Sequence, residues 1–370
     1  MRNMKIAFIG SRGIPANYGG FETFVEELSK ELHRTTNFKI VVVGDSEQQH
    51  QTKNITTYNG AQILYSKYSK QKRPFHFYLD SLFKVWDSEI IYSCGVGNAF
   101  FLFIPYLLGK KYVTNPDGIG WKRLKWSRGG KKVLKFMFFL SAKFSPYILA
   151  DSIGIEKVFR VNFKRGKRIE TIEYGAYVNK TVGLDSIEVN NVLEKYQLQK
   201  GKYHLLVSRL EPENNVEEII KGYDQKNNKY PLIIVGNLQE TDYVSKLRNI
   251  KNKEICFLGG IYDKYELEVV RSNAFSYFHG HSVGGTNPSL LEAMASKNLC
   301  ICYDNEFNRG VVKDNGLYFS TANDVANIIA NIEENDYSLL SENVYKQVED
   351  YYNWESISTR YVEYFKKISK

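Results

Sequence analysis

The chain lacks the features that mark several classes of protein. Its longest apolar runs fall short of the roughly 20 residues that a membrane-spanning helix needs, and no cleavage-like site follows the short apolar run at its start, "MKIAFIG". It has four cysteines but no Cys-x-x-Cys pair, which predicts buried free thiols in a reducing compartment. We therefore expect a cytoplasmic protein without a signal peptide or membrane span, either free in solution or peripheral on the inner face of the cell membrane.

Cofactor motifs are missing as well. No glycine-rich turn has the Gly-x-Gly-x-x-Gly spacing, and no acidic residue follows the second strand-like run in the position that binds ribose, so we exclude a nicotinamide site. We find no convincing Asp-x-Asp motif and expect neither a metal ion nor another cofactor. The net charge of +9 favours contact with the phosphates of a nucleotide, an anionic lipid or a nucleic acid. Because no nucleic-acid recognition module is visible, we expect no nucleic-acid partner.

The chain does contain a regular alternation of short apolar runs with longer amphipathic ones, which is typical of doubly wound α/β domains. At 370 residues two such domains are expected. We predict two Rossmann-like domains, residues 1–180 and 181–350, facing a central cleft, with residues 351–370 forming a helix that packs back on the first domain. The strand-like runs are KIAFIG, FKIVVVG, QILYS, EIIYSCG, KYVTN, YILAD and RIETIEYG, then HLLVS, PLIIVG, EICFLG, FSYFH and LCICYD.

The first glycine-rich turn, "GSRGIPANYGGFETFVEEL", leads from a strand into an amphipathic helix. A helix N-terminus without side chains in front of it offers bare N–H donors to an anion. We therefore take Gly19 and Gly20 as candidate phosphate-binding residues. The alternative is that these glycines only allow the loop to turn.

The second glycine-rich turn lies in "HGHSVGGTNPSLLEAMAS", residues 279–296. Asn287 is a good N-cap and Pro288 is favoured at the first helical position, so a helix begins here with Glu292 one turn in. A cap and a surface glutamate would explain these residues, but not the histidines and glycines before them. We predict that the turn binds a diphosphate while Glu292 accepts hydrogen bonds from a sugar hydroxyl. The candidate ligand-binding residues are Gly284, Gly285, Thr286, Asn287 and Glu292, with His281 either near the ligand or a structural hydrogen-bonding residue.

The third turn, "VSRLEPENNVEEIIKGY", places Arg209 at the end of a strand-like run. Arginine is always charged, and its forked donors suit phosphate. The alternative is an exposed ion pair with Glu211 or Glu213.

In this order, these segments resemble those of retaining glycosyltransferases of family four, which have the GT-B fold. The likeness is greatest to a bacterial polysaccharide subgroup that includes rhamnosyltransferases of capsule, O-antigen and cell-wall glycan assembly. Further landmarks are "NPDGIGWKRLKW", "ADSIGIEKVF" and "IEYGA", and the likeness runs through nearly the whole chain.

The resemblance implies a metal-independent enzyme that moves a sugar, with retention, from a nucleotide diphosphate donor to a lipid-pyrophosphate-linked glycan. Our best choice of donor is dTDP-L-rhamnose. By resemblance, Glu292 binds the donor ribose, Arg209 reaches the diphosphate, and Gly19 and Gly20 lie in a loop that closes over the phosphates. Gly175 lies where the chain begins to cross between the domains.

Three residues depart from the family pattern. Gly284 stands where the first Glu of a Glu-x7-Glu motif is expected, Asn214 where a diphosphate-binding Lys is usual, and Asp117 where a His near the sugar is usual. We expect these changes to reset donor chemistry, with Asn214 among the donor-binding residues. The predicted catalytic residues are Asp117, His281 and Arg209, although Asp117 can equally form an Asp-Gly turn.

A basic and aromatic stretch, "WKRLKWSRGGKKVLKFMFFLSAKF", follows the Asp-Gly dipeptide. Tryptophan together with Lys and Arg suits the headgroup layer of an anionic membrane, where a lipid-linked acceptor would be held. The alternative is a core helix with a basic exposed face. The predicted membrane contacts are Trp121, Lys122, Arg123, Lys125, Trp126, Arg128, Lys131 and Lys132.

Two other functions remain open from the sequence. A nucleotide-sugar epimerase of similar fold would need only the donor and would lack a surface for a membrane-held acceptor. A non-catalytic nucleotide-sugar-binding subunit would bind the donor without turnover, as the missing Glu and Lys allow.

Overall fold

The computed structural model describes residues 3–16, 19–116, 118–122, 126–166 and 168–370. The chain divides into two compact units, Met1–Gly175 with Trp354–Lys370, and Ala176–Asn353. The sequence-based divisions are at 180/181 and 350/351, whereas the structure places them at 175/176 and 353/354.

The first unit is built on a sheet that has eight strands over the described residues, in the order β3-β4-β2-β1-β5-β6-β7-β8. Only the β3–β4 pair is antiparallel. The strands are β1 (Lys5–Ile9), β2 (Lys39–Gly44), β3 (Thr57–Tyr58), β4 (Ala61–Tyr65), β5 (Ile90–Cys94), β6 (Lys111–Asn115), β7 (Tyr147–Ala150) and β8 (Ile169–Thr171). The helices are α1 (Gly20–Thr35), α2 (Ser46–Gln51), α3 (Pro74–Lys84), α4 (Phe103–Leu107), α5 (Arg128–Phe144) and α6 (Ile153–Asn162), with short 3-10 turns at Ala99–Phe101 and Gly120–Lys122.

The second unit is built on a parallel sheet that has six strands over its described residues, in the order β11-β10-β9-β12-β13-β14. Its strands are β9 (His204–Val207), β10 (Leu232–Val235), β11 (Ile255–Gly259), β12 (Ser276–His279), β13 (Leu299–Tyr303) and β14 (Leu317–Phe319). Its helices are α7 (Ile187–Lys195), α8 (Val216–Tyr223), α9 (Asp242–Arg248), α10 (Lys264–Ser272), α11 (Pro288–Ala295), α12 (Glu306–Val312), α13 (Ala322–Ile332) and α14 (Ser338–Gln347), with a 3-10 turn at Pro212–Asn214 and a π-helical turn at Val348–Tyr352. Both units have the doubly wound strand order expected from the sequence.

The last helix, α15 (Trp354–Ser369), belongs to the first unit. It packs against α1, where the ring of Phe24 lies 5.7 Å from that of Tyr361 and 6.4 Å from that of Trp354. Gly175 is required beside this helix, because a Cβ atom there would lie 2.7 Å from the indole of Trp354. The C-terminal helix therefore completes the core of the first unit.

The twelve strand-like runs of the sequence are all strands in the structure, but β3 and β14 were not predicted. Both are edge strands of two or three residues, too short to produce an apolar run. The hairpin between β3 and β4 turns through Asn59 and Gly60, which both have positive φ. Asn-Gly is the strongest short hairpin signal, so this dipeptide was the available clue.

The four cysteines are free, as predicted, and three of them are buried. Burial raises the pKa of the Cys300 thiol to about 12, so this thiol stays protonated at neutral pH. Among the described residues, no helix is both long enough and apolar enough to cross a membrane.

A buried polar network joins the amino ends of two strands in the second unit. The imidazole of His204 lies 2.8 Å from Ser276 Oγ through Nδ1 and 3.1 Å from Glu333 Oε1 through Nε2. The Glu333 carboxylate also accepts hydrogen bonds from the backbone N–H groups of Lys229 and Tyr230. Burial alone would raise the pKa of Glu333, but these hydrogen bonds outweigh it and hold the pKa below the ordinary value of 4.5.

We expect Glu333→Gln to lower the free energy of unfolding by about 1–3 kcal/mol, because hydrogen bonds to a charged acceptor are lost or weakened. A group whose folded pKa is depressed stabilises the fold above its unfolded pKa, and this contribution disappears as pH falls through the folded value. The difference in free energy of unfolding between the native protein and the variant should therefore be full at pH 7 and should shrink as pH falls below 4.5. Urea unfolding at several pH values measures it. The control is Glu334→Gln, next to it and exposed, and an equal deficit in both variants would contradict the role of the network.

Candidate active site

Two adjacent strands of the second sheet end in segments that hold each other in place. Strands β9 and β12 are paired, and after them the backbone N–H and the hydroxyl of Ser282 both donate to the carbonyl of Glu213, at 2.9 and 2.8 Å. The amide of Asn215 donates to the carbonyl of Gly280 at 2.7 Å. A Cβ atom at Gly280 would lie 2.0 Å from the carbonyl oxygen of Asn214, so only glycine permits this approach. The two segments form one interlocked surface at the carboxyl edge of the sheet.

Asn214 is buried within this surface. Its side-chain amide donates to the carbonyl of Arg209 at 2.7 Å. The next residue, Asn215, adopts a left-handed conformation with φ 49° and is the N-cap residue of α8. In the structure, then, the amide predicted to bind the donor fixes the shape of the loop that carries Arg209.

The side chain of Arg209 lies at the surface, 41% exposed, with Nη1 3.3 Å from Glu211 Oε1. This is the exposed ion pair that the sequence allowed as an alternative. Such a pair contributes little to stability and leaves most of the forked donors of Arg209 facing solvent. Arg209 therefore presents an accessible positive charge just beyond the carboxyl end of β9.

Two histidines stack where β12 ends. The rings of His279 and His281 lie 4.3 Å apart and nearly parallel, at 10°. His279 is buried, and neither of its ring nitrogens has a hydrogen-bond partner among the described residues. Burial, together with the neighbouring His281, lowers the pKa of His279 well below its ordinary value, so this ring is neutral at pH 7. The carbonyl of His281 accepts hydrogen bonds from the amides of Asn305 and Asn308 at 2.9 and 3.1 Å, which fixes its backbone.

Helix α11 begins as the sequence predicts. The side chain of Asn287 accepts a hydrogen bond from the N–H of Ser289 at 3.0 Å, and Pro288 occupies the first helical position. Of the residues before the cap, Thr286 is buried. A Cβ atom at Gly284 would meet nothing within 4 Å, so packing does not require glycine there. The absence of a side chain leaves open space in front of the helix.

Glu292 projects from α11 into an ion pair that was not foreseen from the sequence. Its Oε2 lies 2.6 Å from Nη2 of Arg271, whose side chain is only 6% exposed, while that of Glu292 is 41% exposed. Nearby, burial raises the pKa of Glu268, with Arg271 opposing the shift and Glu292 adding to it. Arg271 thus fixes one edge of the Glu292 carboxylate and leaves the other open to accept hydrogen bonds from a ligand. The signal along the sequence was weak: Arg271 directly follows two apolar residues, Val269 and Val270, near the end of α10, and all three are buried.

The glycine pair of the first unit begins α1 at Gly20, with Gly19 at φ 113°. Two buried glutamates of this helix hold the preceding loop, because Glu22 Oε1 accepts from the N–H of Arg12 at 2.7 Å and Glu26 Oε2 from the N–H of Ala16 at 2.5 Å. These carboxylates were not singled out in the sequence. They place negative charge in the first two turns of the helix, where the sequence predicted phosphate binding.

Of the remaining predicted residues, Asp117, Arg123 and Lys125 lie outside the described residues. The indole of Trp121 packs at 4.5 Å against the ring of buried Phe138 and at 5.9 Å against that of Phe163. The predicted membrane contacts with exposed side chains are Lys122, Trp126, Arg128 and Lys132, whereas Trp121 and Lys131 are half-buried.

Two family models match the chain in separate segments. Residues 190–349 match the model described as Glycosyl transferases group 1, and residues 3–72 and 88–177 match a domain of unknown function, DUF1972. An uncharacterized glycosyltransferase of Methanocaldococcus jannaschii is 26% identical over 399 aligned positions, covering 100% of both chains. The O-antigen chain mannosyltransferase B of Escherichia coli is 25% identical over 186 positions, covering 47% of this chain and 48% of that protein.

Solved structures with a similar fold are GT-B glycosyltransferases. Sucrose-phosphate synthase from Thermosynechococcus elongatus has a TM-score of 0.81 at 16% identity and covers 99% of each chain. HepE from Anabaena, solved in complex with UDP, has a TM-score of 0.78 at 15% identity and covers 98% of this chain and 100% of its own. At these identities the likeness shows the fold alone, and it confirms the predicted fold class. We conclude that residues 190–349 form a group 1 glycosyl transferase domain, and that the chain is a glycosyltransferase with the GT-B fold.

Proposed function

We propose that this enzyme transfers a sugar, with retention, from a nucleotide diphosphate donor to a lipid-pyrophosphate-linked glycan during bacterial surface polysaccharide synthesis. The observation that carries the proposal is the Glu292 carboxylate, held by buried Arg271 beside the start of α11 and open on its other edge. Two comparisons support it. HepE was crystallised with UDP and with UDP-glucose, and the relative from Escherichia coli is an O-antigen chain mannosyltransferase.

The donor is held by groups of the second unit. Glu292 accepts hydrogen bonds from the ribose hydroxyls, and the N–H groups at the start of α11 face the diphosphate across the space left by Gly284. Arg209 contributes a charge whose ion-pair partner, Glu211, is itself partly exposed. We keep dTDP-L-rhamnose as the first donor to test, with nucleotide-activated mannose added because of the mannosyltransferase relative.

Transfer with retention proceeds by attack on the face of the sugar from which the diphosphate leaves. The acceptor oxygen forms a bond to the anomeric carbon as the bond from that carbon to the β-phosphate oxygen breaks. The proton of the acceptor hydroxyl passes to a phosphate oxygen of the leaving group or to Asp117. Arg209 and the α11 N-terminus stabilise the charge that develops on the diphosphate, and no metal ion is needed for that step.

The acceptor is anchored in a membrane, so the enzyme works on the inner face of the bilayer. The basic residues in the segment 121–132 suit contact with anionic headgroups. The exposed side chains of Lys122, Trp126, Arg128 and Lys132 support this placement.

We expect Glu292→Ala to weaken donor binding about tenfold to a hundredfold, because hydrogen bonds to a charged acceptor contribute about 1.5–3 kcal/mol. Slow hydrolysis of thymidine-, uridine- and guanosine-diphosphate sugars is measured with EDTA present. One donor should be turned over by the native protein and by the control Glu194→Ala, which changes an exposed glutamate of α7.

Two results of this experiment go against the transferase. Saturable binding without turnover, with any lipid-linked acceptor, favours a non-catalytic binding subunit. Release of an epimerised nucleotide sugar favours an epimerase.

Arg271 should act on the donor through Glu292. We expect Arg271→Met to raise the donor Kd in the native background but to have little further effect in a Glu292→Gln background, a coupling of about 1 kcal/mol or more. Isothermal titration on the four proteins of the cycle gives the coupling, and melting temperatures show whether each variant is folded. Additive effects would mean that Arg271 does not position Glu292.

The proposed role of Asp117 is tested with Asp117→Asn. Loss of a general base typically costs about a hundredfold or more in rate, so transfer should fall by that amount while the donor Kd stays unchanged. The control is Asp185→Asn, an exposed residue of the second unit. Full transfer by Asp117→Asn would remove the base role and leave the proton to the leaving phosphate.

A further inference from the structure

A broad aromatic and aliphatic surface lies exposed on the first unit, beyond the predicted membrane contacts at residues 121–132. It is formed by α4 and the outer side of α5, and six of its side chains are between 46% and 74% exposed: Phe103, Tyr106, Leu107, Val133, Phe136 and Phe139. We call these six residues the aromatic face. The rings of Phe136 and Phe139 stack at 6.2 Å, and Phe100 lies 6.3 Å from Phe136. An exposed apolar patch of this kind usually marks a surface that is covered in use.

A cavity of about 310 Å³ adjoins this face. Tyr106 belongs to both, since it lines the cavity and its ring packs at 5.8 Å against Phe144 at the end of α5. The other lining side chains that matter here are Phe163, Lys164, Arg165 and Arg168. Among the described residues, three cations and no carboxylate therefore line this cavity.

The charge of Arg165 is fixed by the fold without being neutralised. Its Nη1 donates to the carbonyl of Ala142 at 3.0 Å, and its Nη2 to those of Ser145 and Pro146 at 2.8 and 3.1 Å. Carbonyl oxygens orient a guanidinium but cancel none of its charge. Arg168 lies against the ring of Tyr147, at 5.4 Å, and the segment 161–168 contains no acidic residue.

The sequence around the aromatic face, like the lining of the cavity, is strongly basic. Between Glu89 and Asp151 there are ten Lys or Arg residues and one acidic residue, Asp117. Lys132, Lys135 and Lys143 project from α5 with exposed side chains. A surface that pairs exposed aromatic rings with unneutralised cations is complementary to an anionic bilayer, whose interface accepts both.

We propose that the cavity binds the phosphate of an anionic phospholipid headgroup while the aromatic face lies against the acyl chains beside it. The cations of the cavity bind the phosphate oxygens, and Tyr106 lies at the boundary between headgroup and chain. The inference deepens the membrane contact of the proposed function by naming a lipid site and different residues, and it does not depend on the donor chemistry.

Co-sedimentation of the full chain with vesicles tests the proposal. The vesicles are phosphatidylcholine alone, or an equal mixture of phosphatidylcholine and phosphatidylglycerol. Lys164→Gln/Arg168→Gln should lower the partition coefficient on mixed vesicles roughly 30-fold, because each cation near an anionic surface strengthens binding about fivefold. Phe103→Ser/Phe136→Ser should lower binding to both kinds of vesicle.

The matched control is Arg248→Gln/Lys251→Gln, which removes the same charge from exposed residues of the second unit. It should change binding less than about threefold, because these two side chains belong neither to the cavity nor to the aromatic face. A second comparison, Lys131→Gln/Lys132→Gln, separates the cavity from the 121–132 segment. Melting temperatures and donor hydrolysis are measured on every variant, so loss of vesicle binding is separated from unfolding and from failure of the transferase proposal.

Three results would overturn the proposal. In the first, the cavity variant binds mixed vesicles as well as the control does. In the second, the Phe103→Ser/Phe136→Ser variant binds like the native protein. In the third, inorganic phosphate raises the melting temperature of the native protein but not that of the cavity variant, and neither of these two proteins binds vesicles. The cavity would then be a site for free phosphate.

Discussion

The candidate site depends on the contact between the backbone of Gly280 and the carbonyl of Asn214. These residues follow neighbouring parallel strands, and a Cβ atom at Gly280 would lie 2.0 Å from that carbonyl oxygen. Because the segments touch, Ser282 and Asn215 can cross-link them through the carbonyls of Glu213 and Gly280. Arg209 on one segment and the His281 backbone on the other are therefore held in a fixed relation. A binding surface built in this way is preorganised before any ligand arrives.

The ion pair between Arg271 and Glu292 orients a binding group at some cost in folding stability. A buried arginine costs desolvation, and apolar residues of similar volume are often at least as stable as a buried ion pair. Here the arginine is nearly buried while the glutamate is 41% exposed, so the pair is only half desolvated and the carboxylate stays usable. The desolvation penalty is therefore paid mainly by Arg271, and the Glu292 carboxylate becomes an oriented hydrogen-bond acceptor at the surface. An exposed glutamate without this partner would sample several rotamers and lose entropy on binding.

Much of this arrangement was readable from the sequence, and the missing parts have physical reasons. The strands of a parallel sheet are buried on both faces, so the twelve apolar runs identified them, and the Asn287-Pro288 cap located α11. Arg271 escaped because its role depends on a contact between α10 and α11, which periodicity along one helix does not contain. Asn214 stays a predicted donor-binding residue from its place in a motif, and the structure adds that its amide donates to the carbonyl of Arg209. Side-chain amides that fold back onto the backbone are common in turns, and motif position alone does not reveal them.

The distribution of charge within the first unit follows from the same constraint on buried groups. Four glutamates of α1, Glu22, Glu26, Glu27 and Glu31, are each less than 9% exposed. At least two of them hold backbone N–H groups of the loop after β1, so their charge is committed to local structure. Arg165 is held by carbonyls in the same way, without a carboxylate. The unit's buried acids include these four glutamates, Asp45 and Asp151, whereas the residues between Glu89 and Asp151 include one acidic residue against ten basic ones. The positive excess therefore remains around α5. Such a local excess of positive charge concentrates the electrostatic potential on one side of the unit, and this side attracts anionic surfaces.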